Sequence, residues 1–289
     1  MTTTVLSLLS GIAGMFGWGL YDFLGGVFAK RIGPFKSFFW SQLAGLISVL
    51  LLAVVLGTSL GAPMLVVILL PIAAILYSAG YLFFFKGLEI GNVSIVAATM
   101  NLWAVFTMLF AFAFMGQRLS PIQTLGVLMI ISGATLASLK WSEIGNRSFQ
   151  LSVGVKEAAV GAFFFGIFWN VSQVISEEIG WLRTTLFVKL GIVLCLLLFA
   201  LLVRREIALA TIPARTRYAI ILMGIIEAAA VAVVNFGLTI GDAILITPVA
   251  SALSLVTITL AIVFLKEKVT RLQGLGMVTA VIGIVVTAF

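Results

Sequence analysis

The sequence predicts an all-α integral membrane protein, with ten transmembrane helices arranged as two inverted five-helix repeats. Three observations predict it: apolar blocks of bilayer length recur down the chain, charged residues collect in the short breaks, and the second half repeats the first. With 62% hydrophobic and only 9% charged residues over 289 positions, the chain has too little polar surface to face water.

About twenty apolar residues cross a bilayer core. On that scale the spans fall at 5–29, 35–56, 64–85, 92–115 and 121–139, then at 154–176, 182–203, 217–238, 243–265 and 271–289. The first block lacks a basic leader and an early small-residue cleavage site, so it reads as a membrane helix and not as a secretory signal. The breaks carry turn chemistry, as in Ile32-Gly33-Pro34, Gly61-Ala62-Pro63, Ser120-Pro121 and Thr211-Ile212-Pro213. Gly91-Asn92 and Gly241-Asp242 read as helix starts with capping side chains, since no glycine-rich phosphate loop surrounds them. The seam is the loop 141–153, which separates a first repeat at 1–140 from a second at 154–289.

Charge sets the orientation. Of the 17 Lys and Arg residues, only Arg118 and Arg183 fall in even-numbered loops and Lys189 lies within a span; all others lie in odd-numbered loops. Basic short loops face the cytoplasm, so both termini are expected outside it, in a multi-pass protein of the cell (inner) membrane. The net charge of +7 therefore points to anionic headgroups of the lipid bilayer, not to nucleic acid. The chain has no histidine, which removes the commonest general base and transition-metal ligand, so no metal or other cofactor is expected. The single cysteine, Cys195, sits in an apolar run and reads as a small buried hydrophobe.

A shift of 150 positions lays Gly87–Ala134 on Gly237–Ile284 without a gap. Thr107 meets Thr257, Phe114 meets Phe264, Gln123 meets Gln273, and Gly126 and Gly133 meet Gly276 and Gly283. A shift of 147 pairs Gly14 with Gly161, Gly19 with Gly166 and Ile32-Gly33 with Ile179-Gly180. An odd number of spans per half makes the second copy enter the membrane from the opposite side. The glycine spacing keeps small residues near one helix face, for close packing expected within the chain.

With Gly116-Gln117-Arg118-Leu119-Ser120-Pro121 running into Gly126 and Gly133, and Leu265-Lys266-Glu267-Lys268 running into Gly276 and Gly283, the chain resembles the drug/metabolite transporter superfamily, in its EamA-type branch. The resemblance covers nearly the whole chain. It implies a secondary transporter of small metabolites, often an exporter, with a central cavity between the halves. Two features depart from the pattern: Gln117 stands where such proteins commonly carry Glu, and the charge bias places the termini outside, where most relatives have them inside.

Ionisable groups inside spans are costly and mark function by default. Asp22 follows Trp18 by one helical turn, a pairing suited to a cationic or amphipathic ligand or to a proton carrier. Glu227 lies near the centre of its span, too deep to reach the headgroups, and is either the coupling carboxyl or a buried partner for Lys189. Lys189 either lines a cavity or reaches the interface along its stem. The repeat pairs Gln42 with Lys189, Tyr77 with Glu227 and Asn101 with Ser251, and Trp169 and Asn170 add a polar aromatic step. These ten residues are the candidate substrate-binding or coupling set.

The leading expectation is a secondary active transporter, working as an exporter, of small polar or aromatic metabolites by alternating access, with coupling expected through protons at Glu227 or Asp22. A passive facilitator is the alternative within that class. An intramembrane enzyme is the distant alternative, since without histidine only Asp, Glu, Lys and Ser remain to build a nucleophile and base. A monomer or homodimer is expected.

Overall fold

The computed structural model describes residues 3–90, 96, 99–138, 154–208, 212–266 and 270–289, and every regular element among them is a helix. The first part holds α1 (Thr3–Ile32), α2 (Pro34–Val55), α3 (Met64–Ile90), α4 (Trp103–Phe114) and α5 (Pro121–Ser138). The second holds α6 (Val155–Ile179), α7 (Trp181–Val203), α8 (Ala214–Ile240), α9 (Ala243–Ser251), α10 (Leu253–Leu265) and α11 (Arg271–Thr287). Counting α9 and α10 as one segment, 8 described helices are long and apolar enough to cross a bilayer, and Trp103–Phe114 and Arg271–Thr287 are apolar but shorter. The loop 141–153, the Gly91-Asn92 turn and Glu267-Lys268 lie outside the described residues.

Burial runs opposite to that of a water-soluble protein. Leucines and valines of α2, α7 and α11, among them Val54, Leu201, Leu202 and Val285, point outward, as lipid-facing side chains do. Ser41, Gln42, Gln173, Lys189, Glu227 and Asn235 are instead fully or almost fully buried.

Two near-identical joints open the two halves. A single residue, Gly33, separates α1 from α2, and a single residue, Gly180, separates α6 from α7. Their φ values of 87° and 77° lie where a side chain is disfavoured, which accounts for the repeated Ile-Gly of the sequence.

Packing is reciprocal under the repeat. α1 lies against α8, and its counterpart α6 lies against α3; α10 packs on α1 as α4 packs on α6; α2 meets α7. The most extensive contact joins α5 to α11. There a Cβ on Gly126 would fall 2.8 Å from the Gly283 carbonyl oxygen, and one on Gly133 would fall 2.6 Å from that of Gly276. Shifting either contact by 150 residues gives the other. The glycines thus bring two helices of one chain together, as their spacing leads one to expect. The repeated Gln123 and Gln273 have a separate role: with Ser120 and Thr270 they form matching capping boxes at the starts of α5 and α11.

The fourth and ninth segments depart from straight helices. The ninth breaks between α9 and α10 at Ala252, four residues after Pro248, which has no N–H to donate. The fourth has a turn at Asn101–Leu102, the same place under the 150-residue shift. What Asn101 and Ser251 share is a position at a helix break, a feature apolar periodicity does not disclose.

Because backbone meets backbone across α5 and α11, Gly133→Val is expected to lower stability by about 1–3 kcal/mol, read as a fall in Tm of the purified protein in detergent. Gly274→Ala, with open space around its Cβ, is expected to leave Tm almost unchanged.

Candidate functional site

A cavity of about 250 Å³ lies where the two parts of the chain meet. α1 supplies Trp18 and Asp22, α3 supplies Tyr77, Tyr81 and Phe84, and the Asn101 turn leads into Trp103 of α4. From the second part come Phe165 and Trp169 of α6 and Leu253, Ser254, Thr257 and Ile258 of α10. Trp18 holds the aromatic wall together, with its ring 5.2 Å from Trp169 and 6.3 Å from Trp103. Tyr77 and Tyr81 stand 5.1 Å apart on successive turns of α3. Asp22 is exposed to this space, whereas Tyr21 beside it turns away to share a hydrogen bond with Ser41 at 3.0 Å.

The other two ionisable candidates lie behind this wall. Lys189 and Glu227 form a fully buried ion pair. Lys189 Nζ also donates to Gln42 Oε1 at 2.8 Å, and Tyr77 donates its hydroxyl to Glu227 Oε1 at 2.7 Å. Both hydrogen bonds join repeat mates, 147 and 150 residues apart. The cluster is thus a place where equivalent positions of the two repeats meet directly. Desolvation explains the arrangement: in a dry interior each charge requires the other, and the amide and phenol fill remaining hydrogen-bonding capacity. Of this group, Tyr77 alone also lines the cavity.

On the side of the even-numbered loops, polar contacts close the bundle. Gln117, after α4, donates to Gln173 Oε1 of α6 at 2.8 Å. Each glutamine also accepts a backbone N–H at the start of α9, Gln173 from Ala243 at 3.0 Å and Gln117 from Ile244 at 3.1 Å. The α9 terminus is therefore capped by side chains from α6 and from the segment after α4, while the Asp242 side chain, expected to cap it, makes no such bond. Arg183 spans two further even loops, donating to the carbonyls of Ile179 at 2.6 Å and Gly61 at 3.0 Å.

The sequence profile of the EamA-like transporter family matches residues 5–139 and, a second time, 153–289. The chain belongs to the EamA-like transporter family. It is a multi-pass membrane protein of a transporter family within the drug/metabolite transporter superfamily. Solved structures share its fold: one crystal structure superposes with a TM-score of 0.82 at 18% sequence identity, covering 97% of this chain and 94% of the other. No curated protein matches the chain.

In this EamA-like transporter, the cavity gathers Trp18, Asp22, Tyr77, Asn101 and Trp169 from the candidate set, and the ion-pair cluster gathers Gln42, Lys189 and Glu227 with Tyr77. Asn170 and Ser251 bond to backbone instead: Asn170 to the carbonyls of Thr107 and Gly166, and Ser251 to that of Pro248. Asn101 faces Ser138, not Ser251. Sequence reasoning passed over Ser254 and Thr257 as lining. Thr257 carried a signal, since its repeat mate is Thr107; its hydroxyl donates to the Gly19 carbonyl and so fixes α10 on α1.

The buried pair yields a stability test. Glu227→Ala, which strands Lys189, is expected to cost about 3–5 kcal/mol, and the apolar double variant Lys189→Met with Glu227→Leu to recover most of it. Thermal unfolding of the variants in detergent measures both.

Proposed function

We propose that the protein is a secondary active transporter that carries small polar or aromatic metabolites by alternating access, as a proton-coupled exporter in the cell (inner) membrane. One observation carries this reading: a carboxylate, Asp22, that none of the described ion pairs includes lines a cavity built by both matched segments. Ten spans complete the picture, with α4 and α11 as the shorter crossings and residues 154–289 inverted relative to 1–140 about an axis in the membrane plane. The reciprocal contacts and the hydrogen bonds between repeat mates support that axis.

The lining runs from mid-helix positions such as Trp169 toward Phe84 and Ser138, near the odd-loop ends of α3 and α5. The even-loop side carries the Gln117–Gln173 closure. By the charge rule the basic odd loops are cytoplasmic, so the conformation reads as open inward and closed outward, with both termini extracytoplasmic. Release on the far side then requires the glutamines to let go of the α9 terminus.

Asp22 is the coupling group in this reading, since the Glu227 carboxylate is already matched by Lys189. The other titratable groups lining its cavity are the phenols of Tyr77 and Tyr81. Proton and substrate would occupy the carboxylate in turn.

Thermal-shift screening of a metabolite library selects a ligand, because binding to the folded state alone raises apparent stability. In proteoliposomes its flux is expected to follow an imposed pH gradient and to lose that dependence in Asp22→Asn. Flux indifferent to the gradient in the unmodified protein would identify a passive facilitator instead. For topology, single cysteines at residue 61 and at residue 205, in a Cys195→Ala background, are expected to react with an impermeant maleimide from the outside and only after permeabilisation, respectively.

A further inference from the structure

The transport reading leaves open what the cavity accepts, and the charge and shape of its wall narrow the answer. Among the described lining residues Asp22 is the single acid, and no lysine or arginine joins it there. None of the described ion pairs includes it. Lys189 is not among the lining residues and is paired with Glu227. Among the described lining residues and ion pairs the carboxylate thus has no cationic neighbour, and its largely apolar enclosure makes its charge expensive unless something cationic occupies the space.

The rest of the wall has the same electrical sense. Trp18, Trp103 and Trp169 form a triangle with ring centroids 5.2–6.3 Å apart, and Tyr77 and Tyr81 extend it. Aromatic faces carry the negative side of the ring quadrupole and attract a cation, most strongly when water is excluded. An anion would meet repulsion from the rings and from Asp22. The lining includes one further unused group: the hydroxyl of Ser254, a residue only 9% exposed, has no hydrogen-bond partner among the described residues. The volume falls below the roughly 300 Å³ at which drug-sized pockets begin, so the occupant is small.

We propose that the cavity selects small organic cations: a substituted or quaternary ammonium group carried on an apolar or aromatic body, with Asp22 as its counter-charge and the three tryptophans as its wall. This deepens the transport reading and rests on the cavity being the transport site. Ser254 would accept or donate one hydrogen bond to a polar substituent of the guest.

Equilibrium binding to the full-length purified protein in nanodiscs, without any gradient, tests it. The probes are benzyltrimethylammonium, benzyl alcohol and phenylacetate, followed by calorimetry and by quenching of tryptophan fluorescence. The cation is expected to bind at least about tenfold more tightly than the neutral or anionic probe. Asp22→Asn is expected to erase that preference without weakening benzyl alcohol, and Asp22→Glu to keep it. Equal binding of the three probes to the unmodified protein, no binding of benzyltrimethylammonium, or a cation preference that survives in Asp22→Asn would each overturn the proposal. The unmodified protein alone decides the first two outcomes, so a poorly folding variant does not shield the idea. Selective cation binding without flux in proteoliposomes would overturn the transport reading, and with it the role of these cations as substrates, while leaving the cavity's binding preference in place.

Discussion

The structure depends on the cost of holding charge away from water. Lys189 and Glu227 lie in the interior of a bundle whose surroundings are hydrocarbon, and each is tolerated because the other is there. Gln42 and Tyr77 complete the arrangement, and they are the repeat mates of the two charged residues. The duplicated sequence has thus placed an acid and a phenol at one pair of equivalent positions, and a base and an amide at the other. In the register observed all four residues are engaged, Gln42 through its carbonyl oxygen. Around that meeting point, α1 against α8, α6 against α3 and the glycine contact of α5 with α11 follow as consequences of the same relation.

Asp22 shows the opposite solution. Its carboxylate is exposed, and the space it faces is lined by aromatic rings from both parts of the chain. One pair of charges is consumed by architecture and one remains at the cavity wall. Polar residues on the even-loop side fall in the first category, since Gln117 and Gln173 satisfy each other and the otherwise open N–H groups at the start of α9. The departure at Gln117 from the acidic residue common at this motif has a local rationale: an amide can donate to Gln173 and accept from Ile244 at once, which an ionised carboxylate cannot.

Much of the fold was legible in the sequence, because bilayer thickness fixes the length of an apolar run and because duplicated glycines mark close helix contacts. The repeat also paired Gln42 with Lys189 and Tyr77 with Glu227. What the sequence could not disclose is that these mates touch, since distance from a symmetry axis leaves no trace in composition. Asp22 and Glu227 look alike in one dimension, both being single acids in apolar helices. Only packing separates a carboxylate matched by a lysine from one that none of the described ion pairs includes. Helix breaks at Asn101 and Ala252 were hidden for a related reason, as hydropathy runs through them uninterrupted.

The one-residue joints at Gly33 and Gly180 bear on how the cavity communicates with the rest of the molecule. A linker that short holds the end of α1 against the start of α2 and leaves rotation at one glycine as the freedom between them. The first arm carries Asp22 and the second carries Gln42, the amide that holds Lys189. The cavity wall and the contact between the halves are thereby joined along the backbone through a single flexible residue.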